Sequence, residues 1–409
     1  MKSKKNTKSG VSALRPLLVA TTAFAGVFAA QSARADVTIY PGNGPVPSVT
    51  IYLRVDAGVR LNANTDTQQY NLTPGSTTLL QAGGNDWGTS MFGVYGSSKL
   101  TPDLTGVYKV ESGFNATTGQ FNGGNNSIFN RRAWVGLSNP TFGTLTVGKD
   151  LFIDNDVYNF DPMIQENMST ATLVYGRNWG GASNMVEYRS PNWSGLSLGL
   201  MAVFNNGTTT ANGPFVSTRV SNEYGASGEY DFHNLSLYAI YDEVQDTHGT
   251  YTNLYSSSKE AIFGATYNLQ PVEFYAGLET LSAPNASGPN GTPIQNPGAN
   301  FPPGSAGSPY PAVFASQAYM TWIGAAWTVN DKVTLRGAWY HTGINEHGGN
   351  ATLLTAGGEY SLSKNVLLYL TGGEVLNGGQ AAFSADIYSP PPAPGHNQFA
   401  AYTGVSVHF

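Results

Sequence analysis

The sequence predicts an all-β fold: a sixteen-stranded antiparallel transmembrane barrel, with short turns at one end and long loops at the other. Three observations predict it. Charged residues make up only 11% of the chain, less than half of the usual ~25%. Mean hydropathy is nevertheless −0.20, because Ser, Thr, Asn, Gly and Tyr take the place of charges, which suits a wall that is apolar on one face and wet on the other. Short segments of alternating hydrophobicity also recur from residue 48 onward, joined by connections that are alternately long and short. Finally, Gly and β-branched residues interrupt every window long enough to test for a helical stripe.

The N-terminus reads as a secretory signal over residues 1–35. Lys2, Lys4, Lys5, Lys8 and Arg15 precede an apolar run over 17–30, and Ala33-Arg34-Ala35 supplies an A-x-A cleavage site before Asp36. The run is fourteen residues long, short of the ~18–20 that a membrane helix needs. Cleavage removes six of the 20 basic residues and none of the 26 acidic ones, leaving 14 against 26 and a formal charge of −12. That balance argues against nucleic acid as a partner. The absence of cysteine excludes disulfides and thiolate metal sites.

An N-terminal extension over 36–47 carries PGNGPVP, and the barrel itself is expected over 48–409. The first strand, SVTIYLRVDAGVR, puts Ile51, Leu53, Val55 and Ala57 on one face and Tyr52, Arg54 and Asp56 on the other. In a barrel the first set meets lipid, while Arg54 and Asp56 meet water inside. Long polar connections are expected at 61–86, 116–128, 150–180, 206–218, 245–257, 283–315, 344–350 and 377–397. Short turns (SKLTPD, NPTFG, SPNWS, DFHN, NLQP, TVND and SLSKN) alternate with them, the pattern of outer-membrane barrels. The Pro/Gly-rich stretches within 283–315 and 389–397 cannot pair as strands and read as extracellular loops. The last strand, QFAAYTGVSVHF, alternates to a terminal Phe409, and tryptophans beside the strand patterns suit interfacial girdles.

Residues 150–180 stand apart. About thirty residues without strand alternation or a helical stripe are rare inside a compact domain and usually functional. They hold Asp150, Asp154, Asp156, Asp161 and Glu166, and they follow a strand pair bearing Arg131, Arg132 and Lys149. Opposed rings of acidic and basic side chains set ion preference at a narrow waist. The bland alternative is that these acids only solvate an exposed loop. Lys109 and Glu111 share a face with Val107 and can pair inside the lumen. Alternation sets Arg132 opposite Arg131, toward the headgroups or a subunit interface. No catalytic residue, cofactor or metal site is expected. The histidines lack ligand spacing, Asp154-Asn155-Asp156 lacks the rest of a calcium loop, and no nucleotide or hydrolase motif has its structural context.

SVTIYLRVDAGV, DLTGVYKVESGFN, RRAWVGLSNPTFGTLTVGK and the terminal TGVSVHF resemble the general porins of Gram-negative bacteria, especially the trimeric type of β-proteobacteria. The resemblance implies a homotrimer in the outer membrane, in contact with lipid and lipopolysaccharide. It implies one pore per subunit for small hydrophilic solutes and ions, narrowed by the third extracellular loop. Phe409 would be the signal read by the barrel-assembly machinery. Arg131 matches the wall arginine opening the family's fourth strand, Arg54 a basic lumen position and Lys109 the pore-lining third strand, while 150–166 occupy the constriction loop. Met91 and Gly181 stand where the family carries further arginines, with Arg177 as a partial substitute, and Ser406 stands at an often basic position. Five loop acids against a thinned basic ladder imply modest cation preference. A substrate-specific channel would show a ladder of aromatics or arginines, an adhesin a short repeat, and an enzyme barrel a catalytic pair; the first two signals are absent.

Overall fold

The computed structural model describes residues 36–44, 46–66, 76–122, 127–204, 223–246, 248–286, 315–346 and 348–409. The expected signal sequence and most of the Pro-rich loop at 283–315 lie outside the described residues. The strands are β1 (Val37–Tyr40), β2 (Val49–Asp66), β3 (Ser76–Gly84), β4 (Ser90–Lys99), β5 (Thr105–Phe114), β6 (Arg132–Asn139), β7 (Gly143–Leu151), β8 (Gly181–Arg189) and β9 (Leu196–Val203). They continue as β10 (Glu223–Phe232), β11 (Leu235–Val244), β12 (Lys259–Leu269), β13 (Val272–Ser282), β14 (Gln317–Asn330), β15 (Val333–Ile344), β16 (Gly349–Ser361), β17 (Val366–Gly378) and β18 (Gln398–His408).

From β4 to β18 each strand pairs antiparallel with its neighbours in sequence, and β18 returns to β2 in register from Ala400↔Asn62 to His408↔Arg54. Closure satisfies every edge, as a wall in hydrocarbon requires. The wall has sixteen staves, because β3 and β4 flank the same edge of β2, at Ala57–Asp66 and Thr50–Arg54 respectively, and act as one interrupted stave. The predicted first loop at 61–86 is therefore partly strand. β2 runs on to Asp66 and returns as β3, since the alternating ANTD and STTLLQ segments extend the ladder above the wall. The extension is not free of the barrel either. β1 pairs with β2 at Val37↔Ile51, on the edge that β18 leaves uncovered beyond Phe409, whose N–H donates to Leu53 O at 2.8 Å.

Side chains alternate as expected. Leu237, Tyr241, Phe263, Tyr267, Phe274, Leu278, Ile323 and Trp327 are exposed on the outer face. Tyr238, Ile240, Asp242, Glu260 and Ile262 point inward from the same strands. A soluble protein would bury the first set; here lipid does. The interior of β10–β18 nonetheless holds a packed cluster around Ile153, Phe160, Met163, Met168 and Trp322. That cluster is the third long loop folded into the barrel.

Candidate functional site

Residues 152–180 leave β7 and cross the interior through three 3-10 turns, Ile153–Phe160, Thr170–Val174 and Arg177–Trp179, before joining β8. Hydrophobic and polar contacts alternate along the path. Phe160 stacks between Tyr238 (ring centroids 4.7 Å apart) and Trp322 (5.9 Å), and its carbonyl accepts from Trp322 Nε1 at 3.0 Å. It lies over Gly264, where a Cβ would come within 2.0 Å of its ring, so only glycine leaves room for the loop. Arg336 Nη1 donates to Pro162 O at 3.2 Å. Tyr340 donates to Asp161 Oδ1 at 2.5 Å, and Asp161 also accepts from the backbone N–H groups of Met163 and Gln165. Glu166 Oε2 accepts from Tyr402 at 2.9 Å and Thr371 at 3.0 Å. Asn167 donates from Nδ2 to Asp86 Oδ1 at 2.7 Å.

These acids are buried, and burial decides their protonation. Glu166 is pushed up to about 8, first by desolvation and then by the nearby Glu359, against the pull of Tyr402 and Arg336. Asp161 is raised by burial, with Tyr340 and the backbone N–H groups opposing it. Asp154 is driven well above the usual carboxylate range by burial and then by Asp242 and Glu260 beside it.

The opposite wall, β2 to β7, is basic. Glu111 on β5 is fully buried and accepts from Tyr52 (2.5 Å), Arg131 Nε (2.7 Å) and Arg132 Nη1 (2.8 Å), with Lys109 Nζ at 3.6 Å. One carboxylate thus gathers three cations. Arg132 donates from Nε to Asp150 Oδ1 at 2.7 Å. Arg54 donates to Thr89 O and lies 5.7 Å from the Trp87 ring. Asp56 is buried behind this wall, accepting from Tyr369 at 3.1 Å and from Asp86 N–H.

Several expected placements change. Arg132 faces the lumen, because β6 starts at that residue and pairs it with Glu111 across the ladder; Arg131 lies just before the strand and so escapes the alternation. Asp150 belongs to the wall, as a β7 residue held by Arg132, and not to the loop. Arg177 does not join the basic wall. It is buried on the far side, bonded to Asp154 and Asp242. Asp154, Asp161 and Glu166 are anchors inside the loop's seat, and Asp156 pairs with Arg189. Sequence reasoning passed over Arg189, Arg336 and Arg60, because inward direction is invisible until register is known.

The last long loop lies where it was expected, between β17 and β18, but its inward fold was not foreseen. Instead of projecting outward, residues 379–397 fold onto the third loop. Phe383 stacks on Tyr175 at 4.7 Å, Ile387 N–H donates to Asn167 O at 3.2 Å, and Asp386 sits 3.3 Å from Arg60, which also bonds Asp86. The run AAFSADIY ahead of the prolines was the available signal, since an apolar stretch in a loop needs something to cover it.

A closed sixteen-stave barrel with a lipid-facing apolar belt and a polar interior crossed by a loop defines a bacterial outer-membrane β-barrel protein. More narrowly, residues 17–380 match the family of Gram-negative porins, and the chain belongs to that family. It is similar to an outer membrane porin protein of Bordetella pertussis, at 26% identity over 190 residues, 46% of this chain and 47% of that one, so the match spans about half of either protein. Among solved structures it is similar to an anion-selective porin from Comamonas acidovorans, with TM-score 0.68 and 19% identity over 89% of this chain and 100% of the other. The trimer form of the Vibrio cholerae outer membrane protein OmpT aligns with TM-score 0.60 and 13% identity, over 89% and 99%. Those two likenesses establish the shared fold.

Proposed function

We propose that the protein forms a water-filled channel for passive diffusion of small hydrophilic solutes and ions across the outer membrane, with its waist between the third loop and the β2–β7 wall. The observation that carries this reading is the division of the interior. The loop is bonded to inward side chains of β14 to β18, and the surface left facing it bears Arg54, Arg131 and Arg132, with Lys109 buried beneath against Glu111. No catalytic step is assigned.

The cation preference expected from five loop acids loses its support. Three of them are buried, one pairs with Arg189 and one with Arg132. Arg131 and Arg132 keep 22% and 17% of their side chains accessible, while the Glu111 carboxylate they share keeps none. A weak anion preference follows, as rings of one sign at close quarters outweigh the net charge of distant loops. The anion-selective porin of similar fold is in keeping with it. Assembly as a homotrimer, contact with lipopolysaccharide and recognition of Phe409 by the assembly machinery rest on family membership; Phe409 is half exposed at the closing seam.

The test is the reversal potential of the purified protein in a planar bilayer under a KCl gradient. An anion-side potential that moves toward cations in Arg131→Gln/Arg132→Gln supports the reading. Folded protein without conductance would refute the channel, and a cation-side potential would refute the basic waist.

A further inference from the structure

Behind the third loop, away from the basic wall, lies a group of acids that the channel reading does not use. Asp154 comes from the loop, Asp242 from β11, Glu260 from β12 and Glu279 from β13; each is at most 1% exposed. Asp242 and Glu260 are direct cross-strand partners, and Glu279 sits one inward position along on the next strand, within reach of Glu260. Arg177 is set among them. It bonds Asp154 Oδ2 through Nη1 at 2.9 Å, both oxygens of Asp242 through Nη2 at 3.0 Å, and Ser258 Oγ through Nε at 3.2 Å, with Glu260 Oε2 3.4 Å from Nη1. Asn155 Nδ2 donates to Asp154 Oδ1 at 3.2 Å.

One guanidinium cannot balance four carboxylates. Taking even one ion out of water costs several kcal/mol unless it is paired and hydrogen-bonded. Yet among the described residues neither oxygen of Glu279 accepts a hydrogen bond, nor does either oxygen of Glu260, and the buried Tyr255 hydroxyl beside Glu279 is also without a hydrogen-bond partner. The fully buried Glu279 carboxyl is thus aimed into the group, where the side chain it meets is another acid, Glu260. One oxygen each from Asp154, Asp242 and Glu260 lies within 4.8 Å of the others. Three oxygens evenly spread around one ion at the ~2.4 Å calcium–oxygen distance stand about 4.2 Å apart, so a shift of a few tenths of an ångström per side chain brings all three onto one ion. Every donor is a hard oxygen, with no imidazole or thiolate, and the irregular arrangement suits calcium better than the strict octahedron of magnesium.

We infer that Asp154, Asp242, Glu260 and Glu279 form a divalent-cation site of the calcium class, which staples the third loop to β11–β13. The ion bridges the loop to the wall at a point where Arg177 alone leaves like charges in contact.

The experiment is calorimetric titration of CaCl2 into full-length protein, refolded in detergent free of lipopolysaccharide and stripped with EDTA, at pH 7.5. We expect about one Ca2+ per chain, bound at least tenfold more weakly by Glu260→Gln and by Glu279→Gln, and unchanged in the lipid-facing Glu374→Gln. Heat-modifiable mobility on gels checks folding. Should both site variants fail to fold, hydrogen exchange on the wild type decides: added Ca2+ must slow exchange in peptides covering 153–180 and 240–262. Absence of calcium binding by folded wild type would overturn the site and leave the carboxylates holding protons instead. So would binding that survives both variants, or that protects only other segments.

Discussion

Raising the pH should loosen the third loop, with Glu166 as the group responsible. Its carboxyl is buried between Thr371 and Tyr402 on the wall and is held at about 8 against an ordinary 4.5. The folded state therefore keeps a proton that an exposed loop would have lost. The contribution to loop seating is fully present below the ordinary value and is lost as pH rises through about 8. A shift of this size at ~1.4 kcal/mol per pH unit amounts to a few kcal/mol, comparable with the loop's other single anchors. Single-channel current noise and open-state conductance should thus grow progressively from about pH 5 and level off above about pH 8. Glu166→Gln, which keeps an acceptor for Tyr402 without the charge, should stay flat over that range and behave at about pH 9 as the wild type does near pH 5. The same rise with pH in Glu166→Gln and wild type would refute the assignment and point to Asp154 or Asp161.

Other perturbations probe the same architecture. Phe160→Ala removes the ring stacked between Tyr238 and Trp322; losses of ~3–5 kcal/mol for buried Phe→Ala predict an unseated loop, read as raised conductance with the barrel's heat-modifiable band intact. Gly264→Val drives a side chain into the Phe160 ring and should give the same phenotype, whereas Gly228→Ala, where the added Cβ meets only Leu198 at 3.5 Å, should be silent. Glu111→Gln leaves Arg131, Arg132 and Lys109 without their shared carboxylate, so the reversal potential should move further toward anions with the barrel's heat-modifiable band intact. Asp386→Asn weakens the hold of Arg60 on the last loop, and faster permeation of larger sugars in liposome swelling would report its release.

What was legible in the chain and what was not divides along the range of the interactions. Alternation in SVTIYLRVDAGVR, the short turns and the closing strand ending at Phe409 are local patterns, each readable from a few neighbours, and they yield sixteen staves and their polarity. The acidic stretch at 150–180 was identifiable as a loop with a task because it breaks that pattern. Its acids' roles were not legible, since Asp161, Glu166 and Asp154 are defined by partners at Tyr340, Tyr402 and Asp242, up to 236 residues away. Arg132 was assigned to the wrong face because strand parity depends on where the ladder starts, and a one-residue difference inverts every side chain.

By itself the sequence determined the barrel: a period of two and the spacing of turns leave closure as the one way to satisfy each backbone group in lipid. The tertiary structure alone decided the interior. Which loops turn inward, which charges meet and which are left for solute depend on contacts across the barrel, and no local pattern encodes them. Burial then sets the charge state of what was brought together. Desolvation makes anchors of loop acids that composition presents as a pore's negative ring, while Arg131 and Arg132 keep accessible side chains.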